Sequence, residues 1–306
     1  MADVHANGTR FNVQVLEPQA RAAGGPTLVF VHGLVTDNLS SFYYTLAGPA
    51  TVAGARVILY DLRGHGRSDR PEDGYTADDG VADLCALLDA LGVTEPVHLV
   101  GNSYGGVLAT RMAVTAPGRV AGLMLIEASC AGPGAAAWFE DMANTLSVTA
   151  LRLEHDGARD QYAKARQRRM ARLVRHVDGL LNRTSLVDDV AAERPLRDDE
   201  LAAIRCPVLG VYGERSELVG AAAELERHVP DCTIEILPGL AHTVLREATG
   251  TLRDILLSWL AEQPIRAEQP VGAEQPVGAE QPVGAEQLIG AEQPVQAAKS
   301  PIREGA

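Results

Sequence analysis

The chain has 306 residues and a formal net charge of −13, which argues against a nucleic acid as its partner because binding phosphates requires a basic surface. No apolar stretch reaches the roughly 18 to 20 residues that cross a bilayer, and residues 1–10 carry no signal-like apolar run, so we expect a cytoplasmic protein with no membrane contact. Its four cysteines lie far apart without a CxxC pair, a spacing that predicts reduced thiols and no zinc site.

The first predicted elements are two short strands joined at Asn7-Gly8, a dipeptide that favours a two-residue hairpin turn. The apolar runs farther along the chain are continuous, as in strands that are buried on both faces of a sheet. The predicted strands are Val4–Ala6, Arg10–Leu16, Thr27–Val31, Arg56–Tyr60, Val97–Val100, Val120–Ile126, Pro207–Val211 and Thr233–Leu237.

Segments of helical length separate most of these strands. The predicted helices are Leu39–Ala53, Thr76–Leu91, Tyr104–Thr115, Glu217–Val229 and Val244–Ala261. Because strands alternate with helices along the chain, we expect an α/β fold with a mostly parallel eight-stranded sheet and helices on both of its faces.

One interval of the chain contains no predicted strand. Residues 131–203 are helical in pattern and rich in charge, and we expect them to form a cap between two segments of the core, 1–130 and 204–262. The cap includes the basic stretch Lys164–Arg175, which either attracts an acidic carrier of the substrate or is a solvated helix face.

The end of the chain repeats the hexapeptide Ala-Glu-Gln-Pro-Val-Gly from about residue 261 to about residue 296. Each repeat offers one apolar side chain, too little to offset the entropy of ordering the chain. We therefore expect residues 263–306 to be disordered, although a short β-helix of hexapeptide repeats is an alternative.

The strongest chemical signal is the sequence GNSYGG at residues 101–106. It follows the predicted strand Val97–Val100 and precedes a predicted helix, which is the context of a nucleophile elbow. In such a turn the serine is exposed and the helix N-terminus faces any negative charge that develops. The pattern predicts Ser103 as a nucleophile, whereas the alternative is a glycine-rich turn with an incidental serine.

A second glycine motif, His32-Gly33, follows the predicted strand Thr27–Val31. A loop in this place can supply one backbone N–H to an oxyanion, and the residue after the nucleophile supplies another. The expected donors are the N–H groups of Leu34 and Tyr104, and His32 is expected to orient the loop.

With DLRGHGRSD at residues 61–69, these motifs resemble the α/β-hydrolase superfamily in order and spacing over about residues 10 to 260. The resemblance implies an α/β-hydrolase sheet with a helical cap, and it makes the segment around His65 a structural turn. It also places the catalytic base at His242, in a loop between the predicted strand Thr233–Leu237 and a helix.

The acid of the implied triad departs from the commonest pattern of the superfamily. Most members have an aspartate three residues after the glycine that ends the seventh strand, and here Ser216 occupies that position. Two carboxylates remain as candidates. Glu217 is adjacent to the vacant position, and Glu127 ends the sixth strand, where some branches carry their acid. We expect Glu127 to be the acid because a buried carboxylate requires a partner such as the imidazole, with Glu217 and Ser216 as the alternative acid or as supporting groups.

A serine nucleophile excludes the branches that require aspartate at this position, the epoxide hydrolases and dehalogenases. We expect a carboxylesterase or thioesterase that forms an acyl-enzyme on Ser103 and acts on a small-molecule acyl substrate, free or bound to a carrier. A lactonase, an acyl-transferring cyclase and a non-catalytic ligand-binding member of the superfamily are alternative functions.

Neither a metal-ligand set nor a dinucleotide fingerprint is present in the sequence, so no metal or cofactor is expected. The oligomeric state is not indicated.

Overall fold

The computed structural model describes residues 2–19, 25–155 and 168–262. Eight strands form one sheet in the order β1-β2-β4-β3-β5-β6-β7-β8. They are β1 Ala2–Ala6, β2 Thr9–Leu16, β3 Thr27–Val31, β4 Arg56–Tyr60, β5 Val97–Asn102, β6 Val120–Ile126, β7 Val208–Gly213 and β8 Cys232–Leu237. Strands β3 to β8 pair in parallel, so the predicted mostly parallel, eight-stranded α/β sheet is confirmed.

The two antiparallel strands lie at one edge of the sheet. Asn7 and Gly8 join β1 to β2 with positive φ angles of 46° and 71°, as a two-residue turn of the favoured hairpin type requires. Strand β2 then pairs with β4, and this pairing connects the hairpin to the parallel strands.

Helices flank the sheet and cover both of its faces. They are α1 Ser40–Phe42, α2 Gly48–Val52, α3 Ala77–Ala90, α4 Tyr104–Thr115, α5 Pro133–His155, α6 Arg168–Asn182, α7 Leu186–Ala191, α8 Asp198–Ala202, α9 Val219–His228, α10 Val244–Glu247 and α11 Thr249–Glu262. Side chains of α3 and α4 belong to one buried apolar cluster. Side chains of α1 and α11 belong to the other. Burial on both faces explains why the central strands are continuously apolar.

Three elements differ from the sequence-based expectation. The first predicted helix contains a wider π-helical turn, Tyr43–Ala47, between α1 and α2. The last predicted helix is broken at Ala248, which separates α10 from α11. Strand β8 was predicted to be buried, but three of its six residues are exposed and only Leu237 is buried, because β8 is the edge strand of the sheet.

The segment between β6 and β7 contains the helices α5 to α8, and its last part is attached to the core by buried ionic contacts. Arg111 of α4 pairs with Glu193 at 2.6 Å, and their side chains are only 4% and 6% exposed. Glu193 also accepts a hydrogen bond from the N–H of Ala77 at the start of α3. Removing one partner from a buried pair leaves an uncompensated charge, so this contact fixes where the segment returns to the core.

The basic stretch predicted at Lys164–Arg175 lies partly outside the described residues, which begin again at Arg168. Within α6, Arg172 and Arg175 are exposed while Ala171 and Val174 are buried. This part of the stretch is therefore the solvated face of an amphipathic helix.

The chain divides into two units, residues 1–268 and 269–306. The predicted disordered tail, 263–306, lies outside the described residues. None of the helices in the described ranges combines the length and the hydropathy needed to cross a bilayer.

Candidate active site

Ser103 lies in a sharp turn between β5 and α4. Its φ and ψ angles are 53° and −122°, a combination that costs a residue with a side chain roughly 1–3 kcal/mol. Its N–H donates to the carbonyl of Ile126 at 2.9 Å, so the turn is fastened to β6. A Cβ at Gly105 would lie 2.1 Å from the carbonyl oxygen of Val31. The glycine therefore permits the close contact between α4 and the end of β3 that the turn requires.

Glu127 directly follows β6 and is completely buried. Its backbone also has a positive φ angle, 51°, and its N–H donates to Val211 at 3.0 Å. The two carboxylate oxygens have separate donors: Oε1 accepts from the N–H of Gly213 and Oε2 from the hydroxyl of Ser216, each at 2.5 Å. These bonds satisfy the buried charge and hold the carboxylate in one orientation.

His242 lies in the loop after β8, and its Nδ1 is 3.2 Å from Oε2 of Glu127. The hydrogen bond with Glu127 raises the pKa of His242 above its ordinary value, because it outweighs the lowering caused by burial. Since Nδ1 donates to the carboxylate, Nε2 is the ring nitrogen with a free lone pair. A side chain at Gly213 would meet the carbonyl groups of Leu240 and Ala241 at 2.4 and 2.8 Å, so this glycine allows the histidine loop to approach β7.

Glu217 is the second carboxylate near this ring. Its Oε1 is 4.0 Å from Nδ1 of His242, but its side chain is 62% exposed. Its charge also raises the pKa of His242, as a smaller contribution than that of Glu127. The structure therefore brings Glu127, Ser216, Glu217 and His242 together.

The loop after β3 is fastened through its backbone N–H groups. Gly33 donates to Asp37 at 2.9 Å, Val35 to Nε2 of His65 at 2.8 Å, and Thr36 to the carbonyl of Leu34 at 2.9 Å. Among the described residues, the N–H of Leu34 has no acceptor. The N–H of Leu34 is thus an available donor, and the N–H groups before and after it both have acceptors.

The second expected donor is at the first residue of α4. The N–H of Tyr104 also has no acceptor within the described parts of the chain, as is usual in the first turn of a helix. A Cβ at Gly33 would lie 3.5 Å from both Nδ2 and the carbonyl oxygen of Asn102, so the loop and the turn at Ser103 are adjacent. Both donors are available for a negatively charged oxygen.

His32 anchors the same loop. Its Nδ1 donates to the carbonyl of Gly33 at 2.7 Å, and its Nε2 accepts the N–H of Leu62 at 3.0 Å. Burial lowers the pKa of His32, so the ring is neutral at physiological pH. Both ring nitrogens therefore have backbone partners, one in the loop and one at Leu62.

Ser103 and His242 are not joined by a hydrogen bond in the described structure. Hydrogen bonds between catalytic groups are often long when no substrate is present and shorten when it binds. The arrangement therefore consists of a strained serine, two free N–H groups beside it, and a buried carboxylate paired with a histidine.

Sequence reasoning missed the residues that hold the loop. Asp37 receives the Gly33 N–H, and Asp61, which is 2% exposed, accepts from Leu39 at 2.9 Å and from Arg67 at 2.8 Å. The sequence shows Asp61 only as the first residue of the motif DLRGHGRSD. It contains no signal for the hydrogen bond between Asp37 and the N–H of Gly33.

A pocket of about 310 Å³, counting its open mouth, lies beside this loop. Leu34 and Tyr104 line it from the core, and Leu186 lines it from α7. Ser103 and His242 are absent from its lining. The pocket thus shares Leu34 and Tyr104 with the proposed oxyanion site, while the serine and the histidine lie outside its lining.

A family model for the alpha/beta hydrolase fold matches residues 26–221, more than half of the chain. The chain belongs to the α/β-hydrolase family. This α/β-hydrolase is 30% identical over 272 residues to 2-(acetamidomethylene)succinate hydrolase of Mesorhizobium japonicum, an alignment that covers 80% of this chain and 91% of that protein. It is also 45% identical over 75 residues to a non-heme chloroperoxidase of Streptomyces lividans, covering 24% of this chain and 27% of that one.

Several alignments of the α/β-hydrolase are partial: three curated relatives are matched over 27%, 64% and 39% of their own length. Among solved structures, Est816, described as an N-acyl homoserine lactone degrading enzyme, is 25% identical with a TM-score of 0.62, over 84% of this chain and all of that one. Other solved structures at 16–21% identity share the fold. Several of the curated relatives are named as hydrolases.

Proposed function

We propose that this α/β-hydrolase cleaves carboxylic esters through an acyl-enzyme on Ser103. The observation that carries the proposal is the combination of a serine in a strained strand-to-helix turn with a buried Glu127–His242 pair. The strain presents the hydroxyl at the end of the sheet, and the carboxylate fixes the tautomer of the imidazole.

The proposed reaction has two halves. In the first, Nε2 of His242 takes the hydroxyl proton of Ser103 while the oxygen attacks the ester carbonyl. The N–H groups of Leu34 and Tyr104 stabilise the resulting oxyanion. The carbon–oxygen bond to the alcohol then breaks, and the imidazolium returns its proton to the departing alcohol.

In the second half, water replaces the alcohol. His242 removes a proton from the water, the hydroxide oxygen attacks the acyl carbon, and the bond to Ser103 breaks with return of the proton to its oxygen. Glu127 stabilises the imidazolium in both halves. These steps use three side chains, two backbone N–H groups and water.

Replacement of the nucleophile tests the proposal most directly. Ser103→Ala should lower kcat for p-nitrophenyl butyrate by about 10³-fold or more, because losing a triad nucleophile costs several powers of ten. Labelling by a fluorophosphonate probe, read by intact-protein mass, should also disappear. Ser147→Ala is the matched control, since that hydroxyl is bonded to Ala143 within α5, and it should retain both activities.

His242→Ala should lower the same rate by a similar factor while the melting temperature changes little. Full activity in a folded Ser103→Ala or His242→Ala variant would remove that residue from the mechanism. A wild-type protein that binds esters but neither cleaves them nor reacts with the probe would instead support a non-catalytic binding function.

Lactones are a second candidate substrate class, favoured by the likeness to Est816 over the full length of that structure. A lactone is a cyclic ester, so the same steps open its ring. A panel of p-nitrophenyl esters, N-acyl homoserine lactones and acyl-CoA thioesters, compared by kcat/KM, would rank the three classes. A preference for thioesters would favour the carrier-bound acyl substrate.

A further inference from the structure

His65 is a buried histidine whose ring contacts the loop that carries Leu34. Its Nε2 is 2.8 Å from the N–H of Val35, and its Nδ1 is 2.8 Å from the carbonyl oxygen of Arg63. A backbone N–H can only donate and a carbonyl can only accept. The two contacts therefore require a neutral ring with its hydrogen on Nδ1.

The surroundings of His65 keep this ring neutral. Its side chain is 1% exposed, and the groups that face it are the ring of His32 at 5.3 Å, the ring of His176 on α6 at 6.3 Å, and the guanidinium of Arg70. Burial lowers the pKa of His65 to about 3, and the neighbouring His32, His176 and Arg70 act in the same direction. Nε2 is thus available as an acceptor across the physiological range.

Val35 needs such an acceptor because its backbone is in a disfavoured conformation. Its φ angle is 66°, in the left-handed region that β-branched residues rarely adopt. A backbone of this kind persists only where its surroundings hold it in place. The hydrogen bond to His65 and the one from Gly33 to Asp37 lie on either side of Leu34.

We propose that His65 is a positioning residue for ester hydrolysis: by accepting the N–H of Val35, it holds the N–H of Leu34 where the substrate oxygen becomes negatively charged. This proposal rests on the proposed function. An oxyanion donor contributes only when its distance and direction are set before the reaction, and a small displacement of the loop weakens it.

The test compares His65→Phe with His65→Gln on an oxygen ester and on the matching thionoester. Phenylalanine fills the space without an acceptor, so kcat for the oxygen ester should fall about 10- to 100-fold with less than about a twofold change in KM. The thionoester rate should change little, because sulfur is a weak acceptor that gains little from the donor. Glutamine offers a carbonyl oxygen to Val35 and should recover part of the rate.

His98→Phe is the matched control, since His98 is a buried histidine near the start of β5 whose ring contacts Trp259. It should leave the ratio of oxygen-ester to thionoester rates unchanged. An unchanged rate in His65→Phe, or an equal loss with both substrates, would overturn the positioning role. If both Ser103→Ala and His242→Ala retained ester hydrolysis, the proposed function itself would be wrong.

If His65→Phe does not fold, nitrogen NMR of the wild-type protein still decides the question. With ¹⁵N-labelled histidine, His65 should be neutral with its proton on Nδ1 at pH 5, well above its lowered pKa. A protonated Nε2 at that pH would contradict the proposal, since that nitrogen could not accept from Val35.

Discussion

Two carboxylates, one in the segment after β6 and one in the segment after β7, lie near the same nitrogen of His242. They differ in their distance from it and in their exposure to water. Glu127 lies 3.2 Å from Nδ1 and is completely buried, whereas Glu217 lies 4.0 Å away and is 62% exposed. The buried group is held by Gly213 and Ser216. Water screens an exposed charge and leaves its side chain mobile. We therefore propose Glu127 as the acid partner of His242 because it is buried and fixed as well as near.

The position after β7 has a different task in this chain. Ser216, which stands where most of the superfamily has its acid, is 4% exposed and donates its hydroxyl to Glu127. Its Oγ also accepts the N–H of Leu218 at 3.1 Å. We therefore propose that Ser216, after β7, supports the carboxylate of Glu127 and does not itself replace the acid.

The largest effect is expected for Glu127→Gln. The amide can still accept a hydrogen bond, but it cannot stabilise the imidazolium and it favours the wrong tautomer. We expect kcat/KM for p-nitrophenyl butyrate to fall by about 10³- to 10⁴-fold, with circular dichroism showing that the protein is folded. Normal activity here, with Glu217→Gln inactive, would reverse the assignment.

Returning a carboxylate to β7 should rescue part of this loss. In Glu127→Gln combined with Ser216→Asp, the new carboxylate stands at a residue whose side chain contacts residue 127, and we expect kcat/KM to recover by about tenfold or more. Ser216→Asn in the same background is the matched control and should show no recovery. Equal rates in the two double variants would mean that charge at this position does not assist the histidine.

Ser216→Ala should have an intermediate effect. It removes one donor from a buried carboxylate, and hydrogen bonds to charged groups contribute about 1.5–3 kcal/mol. We expect kcat/KM to fall by about tenfold, together with a lower melting temperature. Ser216→Thr retains the hydroxyl and should be less affected than alanine.

Glu217→Gln should have the smallest effect, below about twofold in kcat/KM at neutral pH. Both carboxylates raise the pKa of His242, and the base must be neutral to act. Removing either one therefore moves the acidic limb of kcat/KM to lower pH, and the displacement should be larger for Glu127→Gln. The shift in pH caused by Glu217→Gln should become smaller at high salt. A shift that does not depend on salt would indicate that Glu217 makes a buried contact with the histidine.

Much of the fold follows from continuous apolar runs. The bounds of β3, β4 and β6 agree with the prediction because strands buried on both faces differ sharply in composition from their surroundings. The burial of β8 could not be predicted in this way, because being the edge strand depends on the order of all eight strands.

The site also has residues that the sequence indicates and contacts that it does not. Ser103 follows from a local motif, and the assignments of His242 and Glu127 depended on family resemblance and on the absence of an aspartate at residue 216. The contacts of His65 with Val35 and of Glu127 with Gly213 join residues 30 and 86 positions apart. Such contacts arise only when distant strands meet, so a single sequence does not indicate them.

The register between β5 and β6 has a consequence for inactivation by heat. Asn102 pairs with Ile126, so the proposed nucleophile and acid are the next residues on two adjacent strands, and the N–H of Ser103 is bonded across them. These two residues can be displaced from each other only by opening the centre of the sheet, whereas His242 arrives on a loop from its edge. Warming should therefore release the histidine first, and the proposed hydrolysis of p-nitrophenyl butyrate should be lost reversibly at temperatures below the cooperative unfolding of the sheet.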